Sequence, residues 1–395
     1  MKRYVALLLL FCLILAVPGS FAESAVPEYN APVQEIPDNE AMAFLRKMGI
    51  GWNLGNTFDA NNCTWLKNHM EYEKGWTGYY TTRELIQSVA DAGFGFIRIP
   101  VSWHDHVDKD FNVSKDWMDR VQEVVDWALD SGLIVIVNTH HDNDAKWYYP
   151  DSAHFDQSVK FLTAVWTQMA ERFRDYDDRV ILEALNEPRL VGTANEWNFQ
   201  AGSAACTDAA DVINRFNQIF VDTVRATGGN NAARYLCVTG YAASPANLVP
   251  GRFVMPSDSA DNRIIVFAHA YTPYDFALNT KGGKAFARGN LSQRNDIVGN
   301  ISVLYKNFIS RGIPAIMDEC GCLDKNNLDA RLEWCMTYVS IATSYGVPVA
   351  WWDNGSFNGN GENFGLFSRA TGEAVFPEII KILVARAMTE TVPAE

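Results

Sequence analysis

Residues 133–142 read LIVIVNTHHD. Five aliphatic residues, four of them β-branched, run without a break, and the chain then turns abruptly polar. A strand with one face in water alternates apolar and polar positions. An unbroken run is covered on both faces, as in a parallel sheet with helices packed over it. In closed sheets of that kind, residues just beyond a strand's carboxyl end carry the chemistry, and His140 and His141 stand at that place.

The same pattern recurs along the chain. Strands are predicted at about 49–55, 95–101, 133–139, 180–186, 234–239, 264–270, 313–319 and 347–353. Amphipathic stretches near 81–92, 115–131, 155–174, 208–227, 291–311, 326–345 and 376–388 predict helices. Eight strands of near-continuous hydrophobicity, each followed by a helix or a long loop, predict an α/β fold of the (β/α)8 barrel type rather than an open doubly wound sheet. No Gly-rich phosphate fingerprint follows the first strand, which counts against dinucleotide binding. All eight units are used, so residues 40–390 are expected to form a single domain. Residues 23–39, with Pro27, Pro32 and Pro37, are expected to be a linker or surface arm.

Composition narrows the partners. The 395 residues are 48% hydrophobic and 20% charged, the balance of an ordinary globular chain. A formal charge of −14 would repel phosphate backbones and anionic lipid surfaces, so nucleic acid is not an expected partner. Lys2 and Arg3 precede an apolar run from Val5 to Val17, with small Ser20 and Ala22 behind it, which predicts a signal peptide over residues 1–22 and a secreted product. The run is shorter than the ~20 residues that span a bilayer, and no membrane association is expected after cleavage. Export permits disulfides among Cys63, Cys206, Cys237, Cys320, Cys322 and Cys335. A domain of this size does not need them, and one or two bridges at most are expected. Cys320 and Cys322 lack the second ligand pair of a zinc site.

Read in order, the carboxyl ends of the predicted strands present Asn53 and Asn56, Arg98 and Trp103, His140 and His141, Asn186 and Glu187, His269 and Tyr271, Glu319, and Trp351 and Trp352. One such residue alone commonly caps a helix or satisfies a loop amide, and Glu187, followed by Pro188, could be a helix N-terminal acid. Seven strand ends that agree point to a site. Glu187 and Glu319, from strands four and seven, would face each other across the barrel mouth. Paired carboxylates are what glycoside hydrolysis needs: one protonates the departing oxygen, and the other attacks the anomeric carbon or activates a water. Glu183 is expected inside the barrel in an ion pair, and Glu319 is expected to pair with Arg98.

The strings GWNLGNTFDA (51–60), IRIPVSWHDH (97–106), NTHHD (138–142), LNEPRLVGT (185–193), HAYTPY (269–274) and WWDNG (351–355) together resemble glycoside hydrolase family 5, the cellulase family, in order and over about residues 40–385. The ending GENFGLF (361–367) is similar to that of bacterial endo-β-1,4-glucanases and xyloglucan-active enzymes within it. The resemblance implies a retaining endoglucanase with Glu187 as acid/base and Glu319 as nucleophile, about 5 to 5.5 Å apart. It implies a β-glucan polysaccharide as substrate; a monomer with no cofactor and no metal is expected, because the chemistry needs only carboxyl groups and water. It further implies that Arg98 and Tyr271 hold Glu319 ionised and aimed, that Asn186 bonds the sugar 2-hydroxyl, and that His269 tunes the proton on Glu187. His140, His141 and Asn53 would support the same pocket, with Trp352 under the sugar ring.

Trp65, Trp103, Trp147 and Trp197, in segments after strands, are expected sugar platforms, as is Trp76, whereas Trp117, Trp127, Trp166 and Trp334 fall inside predicted helices and are expected to be structural. A xyloglucanase, mixed-linkage glucanase, mannanase or xylanase would differ only in loop contacts. Two other classes stand beside these: a metal-dependent hydrolase using His140, His141, Asp142 and His269, and a non-catalytic glycan-binding barrel. One stretch departs from the family pattern. Where members usually carry Gly-Glu-Phe-Gly, this chain reads Asp318, Glu319, Cys320, Gly321, Cys322. Strand alternation predicts Glu319 inward and Asp318 and Cys320 outward. A like charge at Asp318 would raise the Glu319 pKa and narrow the active pH range.

Overall fold

The computed structural model describes residues 26–387. In chain order the elements are α1 (Glu40–Met48), β1 (Ile50–Leu54), α2 (Arg83–Asp91), β2 (Phe96–Ile99), α3 (Lys115–Asp130), β3 (Ile134–Val137), α4 (Phe155–Phe173), β4 (Val180–Glu183), α5 (Ala204–Ala226), β5 (Leu236–Val238), β6 (Ile264–His269), α6 (Tyr274–Ala277), α7 (Leu291–Asn307), β7 (Ala315–Cys320), α8 (Leu328–Ser344), β8 (Val349–Asp353) and α9 (Pro377–Ala387). Each strand pairs in parallel with the next, and β8 pairs with β1 from Ile50↔Val349 to Leu54↔Asp353, which closes the barrel. The predicted (β/α)8 fold is present, with every strand within a few residues of its expected place. The predicted signal peptide, and the last few residues of the expected domain, lie outside the described residues.

The reason β3 reads as an unbroken apolar run is visible in its surroundings. All four residues from Ile134 to Val137 are buried. One face meets the barrel interior and the other meets helices such as α3, which buries Trp117, Val121, Val124, Val125 and Ala128 at three- and four-residue spacing. Between β5 and β6 the described residues form only short 3-10 turns, among them Tyr241–Ala243 and Pro245–Asn247. Helix α1 was not among the predicted helices. Asn39 caps it, accepting from the Met42 amide at 2.8 Å, and Phe44 stacks on Tyr235, just before β5, at 4.1 Å. Lying against the amino-terminal ends of the strands, α1 plugs that mouth and leaves the carboxyl-terminal mouth open.

Strand β7 carries one extra residue. Its register runs Ala268↔Met317 and then His269↔Glu319 against β6, and Met317↔Val349 and then Cys320↔Trp351 against β8. This bulge breaks the alternation. Asp318 is therefore buried inside the barrel, with Oδ1 3.4 Å from His269 Nε2 and Oδ2 3.6 Å from Arg98 Nε, not turned outward as simple alternation predicts. Cys320 does face away, its thiol against the Ala350 carbonyl. All six described cysteines are free and buried.

Candidate active site

Arg98, fully buried on β2, organises the floor of the open mouth. Its Nη1 donates to Glu319 Oε1 at 2.6 Å and to Asn53 Oδ1 at 3.1 Å. Its Nη2 donates to Glu183 Oε1 at 2.7 Å and to Asn186 Oδ1 at 2.8 Å, and Nε reaches Glu183 Oε2 at 3.0 Å. One planar cation thus fixes four side chains through nearly all of its donors. Burial alone would lower the Arg98 pKa, but Glu183, Asp318 and Glu319 more than offset this and raise it well above the usual value. Glu183 is the expected ion pair. Burial comes first among its causes and pushes its carboxyl up to about 7 against the pull of Arg98. Tyr271 completes the cradle of Glu319, donating its hydroxyl to Oε2 at 2.9 Å; burial and the Glu319 charge keep that phenol neutral by pushing its pKa well up.

Past the end of β4 the sheet bonding continues, with Ala184 N to Cys237 O and Asn186 N to Thr139 O, and this delivers Asn186 and Glu187 to the mouth. Glu187 Oε1 lies 2.8 Å from His269 Nδ1, and the same nitrogen is 3.4 Å from Glu319 Oε2. One oxygen of each carboxylate and that ring therefore lie within 4.8 Å of one another. Burial pushes the Glu187 carboxyl up, but the His269 hydrogen bond and charge, with Arg189 and His141 behind them, hold it below the usual range. Burial pushes His269 down, yet Glu319, Asp318 and Glu187 outweigh it and raise the imidazole to about 10. The lowered Glu187 and the raised His269 together put on the imidazole, 2.8 Å away, the proton that the sequence reading placed on Glu187.

An open cavity of about 870 Å³ covers these groups, lined among others by His140, Asn186, Glu187, Tyr271, Glu319 and Trp352. A second depression of about 530 Å³, lined by Asn56, Trp76, Asn354 and Ser356, shares His141, Trp352 and Glu362 with the first, so the two form one groove past the carboxylates. His140 is stacked parallel to Trp352 at 5.8 Å, and burial, ahead of its charged neighbours, keeps it neutral. Its Nδ1 faces the Asn138 amide at 3.0 Å, which leaves Nε2 to donate.

The predicted platforms divide. Trp197 is exposed, lines the groove and lies over the Arg189 guanidinium at 3.9 Å. Trp76 lines the other end, and Trp65 is exposed but lines neither depression. Trp103 is not a platform: it is fully buried and donates to the Asn138 carbonyl at 2.9 Å. Trp147 is also turned inward, packed against His104 and Phe161 beside Lys146. Indoles after strands pack into the loop as readily as they face solvent, and sequence position does not separate the two. Asn53 is fully buried as well and reaches the Asp318 and Trp351 carbonyls at 2.8 and 3.2 Å, so it braces the floor without meeting the groove. Glu362, Asn138 and Arg189 join the site without having been singled out. Glu362 sits within the GENFGLF string, and its carboxyl is pushed up by burial first and then by Glu187 and Glu319.

The set His140, His141, Asp142 and His269 does not converge, because Asp142 turns away to accept from the Trp103 and His104 amides and from the His104 ring. Asp59, His140 and His141 do lie within 4.8 Å of one another. Asp59, however, already accepts from the Asn56 and Thr57 amides, and His140 from Asn138. No described helix is long and apolar enough to cross a membrane.

Known proteins share this frame. The family model described as Cellulase (glycosyl hydrolase family 5) matches residues 55–358. Endoglucanase 1 of Ruminococcus albus is 39% identical, with 96% of this chain and 91% of that protein covered. Among solved structures, a family 5 lichenase from Caldicellulosiruptor sp. F32 superposes with a TM-score of 0.90 at 46% identity, covering 92% of this chain and all (100%) of that one. A broad-specificity endoglucanase from Ruminococcus champanellensis with bound cellotriose gives a TM-score of 0.81 at 42% identity, over 89% of this chain and 100% of that one. With the barrel, the ordered motifs and these likenesses together, the chain belongs to glycosyl hydrolase family 5 and is an enzyme of the cellulase family.

Proposed function

We propose that the protein is an exported, retaining endo-β-glucanase that cuts internal β-1,4-glucosidic bonds, with Glu319 as nucleophile and Glu187 as acid/base. The observation that carries this reading is the spacing of the two carboxylates. An oxygen of each lies within 4.8 Å of the other, a close approach that favours the retaining arrangement, with carboxyl groups about 5 to 5.5 Å apart, over the inverting one at roughly 6.5 to 9.5 Å. In the first step Glu319 attacks the anomeric carbon, the bond to the leaving oxygen breaks, and the proton held by the Glu187–His269 pair passes through Glu187 to that oxygen. In the second, Glu187 takes a proton from water, the water oxygen bonds the anomeric carbon, and Glu319 leaves. Arg98 and Tyr271 aim the nucleophile, and Asn186, its oxygen tied to Arg98, has its amide nitrogen free for a sugar hydroxyl.

A groove made of two depressions joined at His141, Trp352 and Glu362 offers length for a polymer laid past the carboxylates, which supports an internal cut. Endoglucanases, a lichenase and a xyloglucan-specific enzyme are all among the similar proteins. Mixed-linkage β-glucan is the second substrate, favoured by the high likeness to the lichenase. The test is reducing-sugar release by residues 23–395 from carboxymethylcellulose, mixed-linkage β-glucan, xyloglucan, mannan and xylan, beside a Glu319→Gln control. Release from a β-glucan that vanishes in the control is expected; folded protein silent on all five overturns the reading. Export is tested by the amino terminus of the protein recovered outside the producing cell, expected at Glu23.

A further inference from the structure

Asp318 has no part in the reaction as written. The β7 bulge turns it into the barrel, where it is fully buried and neither carboxylate oxygen has a hydrogen-bond partner. His269 Nε2 is in the matching position, buried without a hydrogen-bond partner, and it lies 3.4 Å from Asp318 Oδ1. The other ring nitrogen contacts Glu187 at 2.8 Å. A buried acceptor and a buried ring nitrogen, both otherwise unsatisfied and this close, are each other's nearest outlet. Asp318, His269 and Glu187 form one line, with the imidazole in the middle.

We propose that Asp318 is a positioning residue, which acts through His269 to keep one proton on the His269–Glu187 pair and so sets the alkaline limit of hydrolysis. The inference rests on Glu187 being the acid/base. A negative charge at Asp318 favours the imidazolium, whose two N–H groups then have Asp318 and Glu187 as acceptors. A pair with one proton can donate to a leaving oxygen, and a pair with none cannot. The raised His269 pKa, with Asp318 among its causes, agrees with this.

The other titratable and charged groups near His269 and Asp318 leave the assignment intact. From β2, Arg98 is a permanent cation; beyond β3, His140 stays neutral. Cys237 on β5 and Tyr271 after β6 are pushed well up, chiefly by burial, and carry no charge in the working range. Glu183 on β4 titrates near 7, but its hydrogen bonds go to Arg98 and Asn138. Glu319 on β7 lies 3.4 Å from His269 Nδ1 and also favours its protonation. Among the described residues, Asp318 is the one carboxylate paired with Nε2.

The experiment compares the protein with Asp318→Asn in two readouts: kcat and KM against pH on a soluble β-glucan, and the ring-nitrogen NMR titration of His269, assigned with His269→Gln. The expected result is an alkaline limb of kcat/KM lower by about one pH unit or more, little change in KM at the plateau, and a His269 that loses its proton at correspondingly lower pH. A His269 titration identical in the two proteins overturns the proposal. So does movement of the acid limb alone, which would mean that Asp318 acts directly on Glu319. If the unsubstituted protein hydrolyses no glycan, the assigned activity fails, while the NMR titration still decides the link between Asp318 and His269. Should Asp318→Asn not fold, Asp318→Gly is read in the same way.

Discussion

At the scale of single residues, two carboxylates a few ångströms apart are separated in role by what holds them. Glu319 is gripped by a guanidinium and a phenol, and Glu187 by an imidazole that carries a proton. If Glu187 supplies the leaving-group proton, Glu187→Gln should lower kcat/KM on a β-glucan by roughly 10²- to 10⁴-fold. It should cost far less in the first step on an aryl β-glycoside whose phenolate leaves without protonation, and pre-steady-state release of the phenol is the measurement. Equal loss on both substrates would remove the acid role. His269 also ties stability to pH. Its pKa is raised from 6.5 in the unfolded chain to about 10, so its stabilisation is complete below 6.5 and is lost as pH rises through 10. Glu183, raised from 4.5 to about 7, adds a decline of the same sign over the lower interval. Below pH 6.5 the buried neutral His140 works the other way, so the test interval is pH 6.5 to 10: thermal midpoints should fall with pH across it, and His269→Gln should flatten the fall.

At the scale of elements, the site depends on features that hydrophobic patterning reveals unevenly. The strands were legible because burial on both faces demands the aliphatic runs seen at Ile134–Val137 and Ile264–His269. Glu187, Glu319 and Arg98 were legible because a barrel puts chemistry at strand ends. The β7 bulge was not, since one extra residue leaves the apolar content of Ala315–Cys320 unchanged while moving Asp318 from outside to inside. Nor did the sequence separate Trp197 from Trp103, which differ in where their loops pack rather than in their distance from a strand. That difference has a kinetic consequence. Trp197, exposed above Arg189 at one end of the groove, should contribute a stacking face to a long chain but not to a short one. Trp197→Ala is expected to raise KM on polymer severalfold with kcat nearly unchanged. Buried Trp103→Ala should instead lower the melting temperature through loss of core contacts, by about 3 to 5 kcal/mol of stability. Thermal melts run beside the kinetics separate the two outcomes.

At the scale of the whole molecule, the barrel divides its labour between two ends. The carboxyl-terminal mouth is left open for the groove, and the amino-terminal mouth is closed by α1 and by the segment before it. That segment, described from Val26 onward, was read from sequence only as a Pro-containing linker or arm. Its contacts are specific. The Gln34 amide donates to the Ser344 carbonyl at 2.8 Å, and the Tyr305 hydroxyl donates to the Glu35 carbonyl at 3.0 Å. Ile36 lies so near Gly346 that a Cβ there would meet it at 2.5 Å, and Arg386 on α9 donates to the Tyr29 carbonyl at 2.8 Å. The arm therefore ties α7, α8 and α9 together beneath the barrel, and Ile36 adds apolar burial of the kind that stabilises by roughly 1.5 to 3 kcal/mol when complete. Ser344, Tyr305, Gly346 and Arg386 do not line the groove. Deleting residues 23–38 should thus lower the thermal midpoint by several degrees and leave kcat/KM at 25 °C unchanged, because Arg98, Glu187, His269 and Glu319 stand at the carboxyl-terminal mouth, away from Ser344, Tyr305, Gly346 and Arg386. A melt and a rate on the same sample decide it. A deletion that lowers kcat/KM while the protein stays folded would mean that the amino-terminal end communicates with the mouth through the barrel wall, and the separation of stability from chemistry argued from these contacts would be wrong.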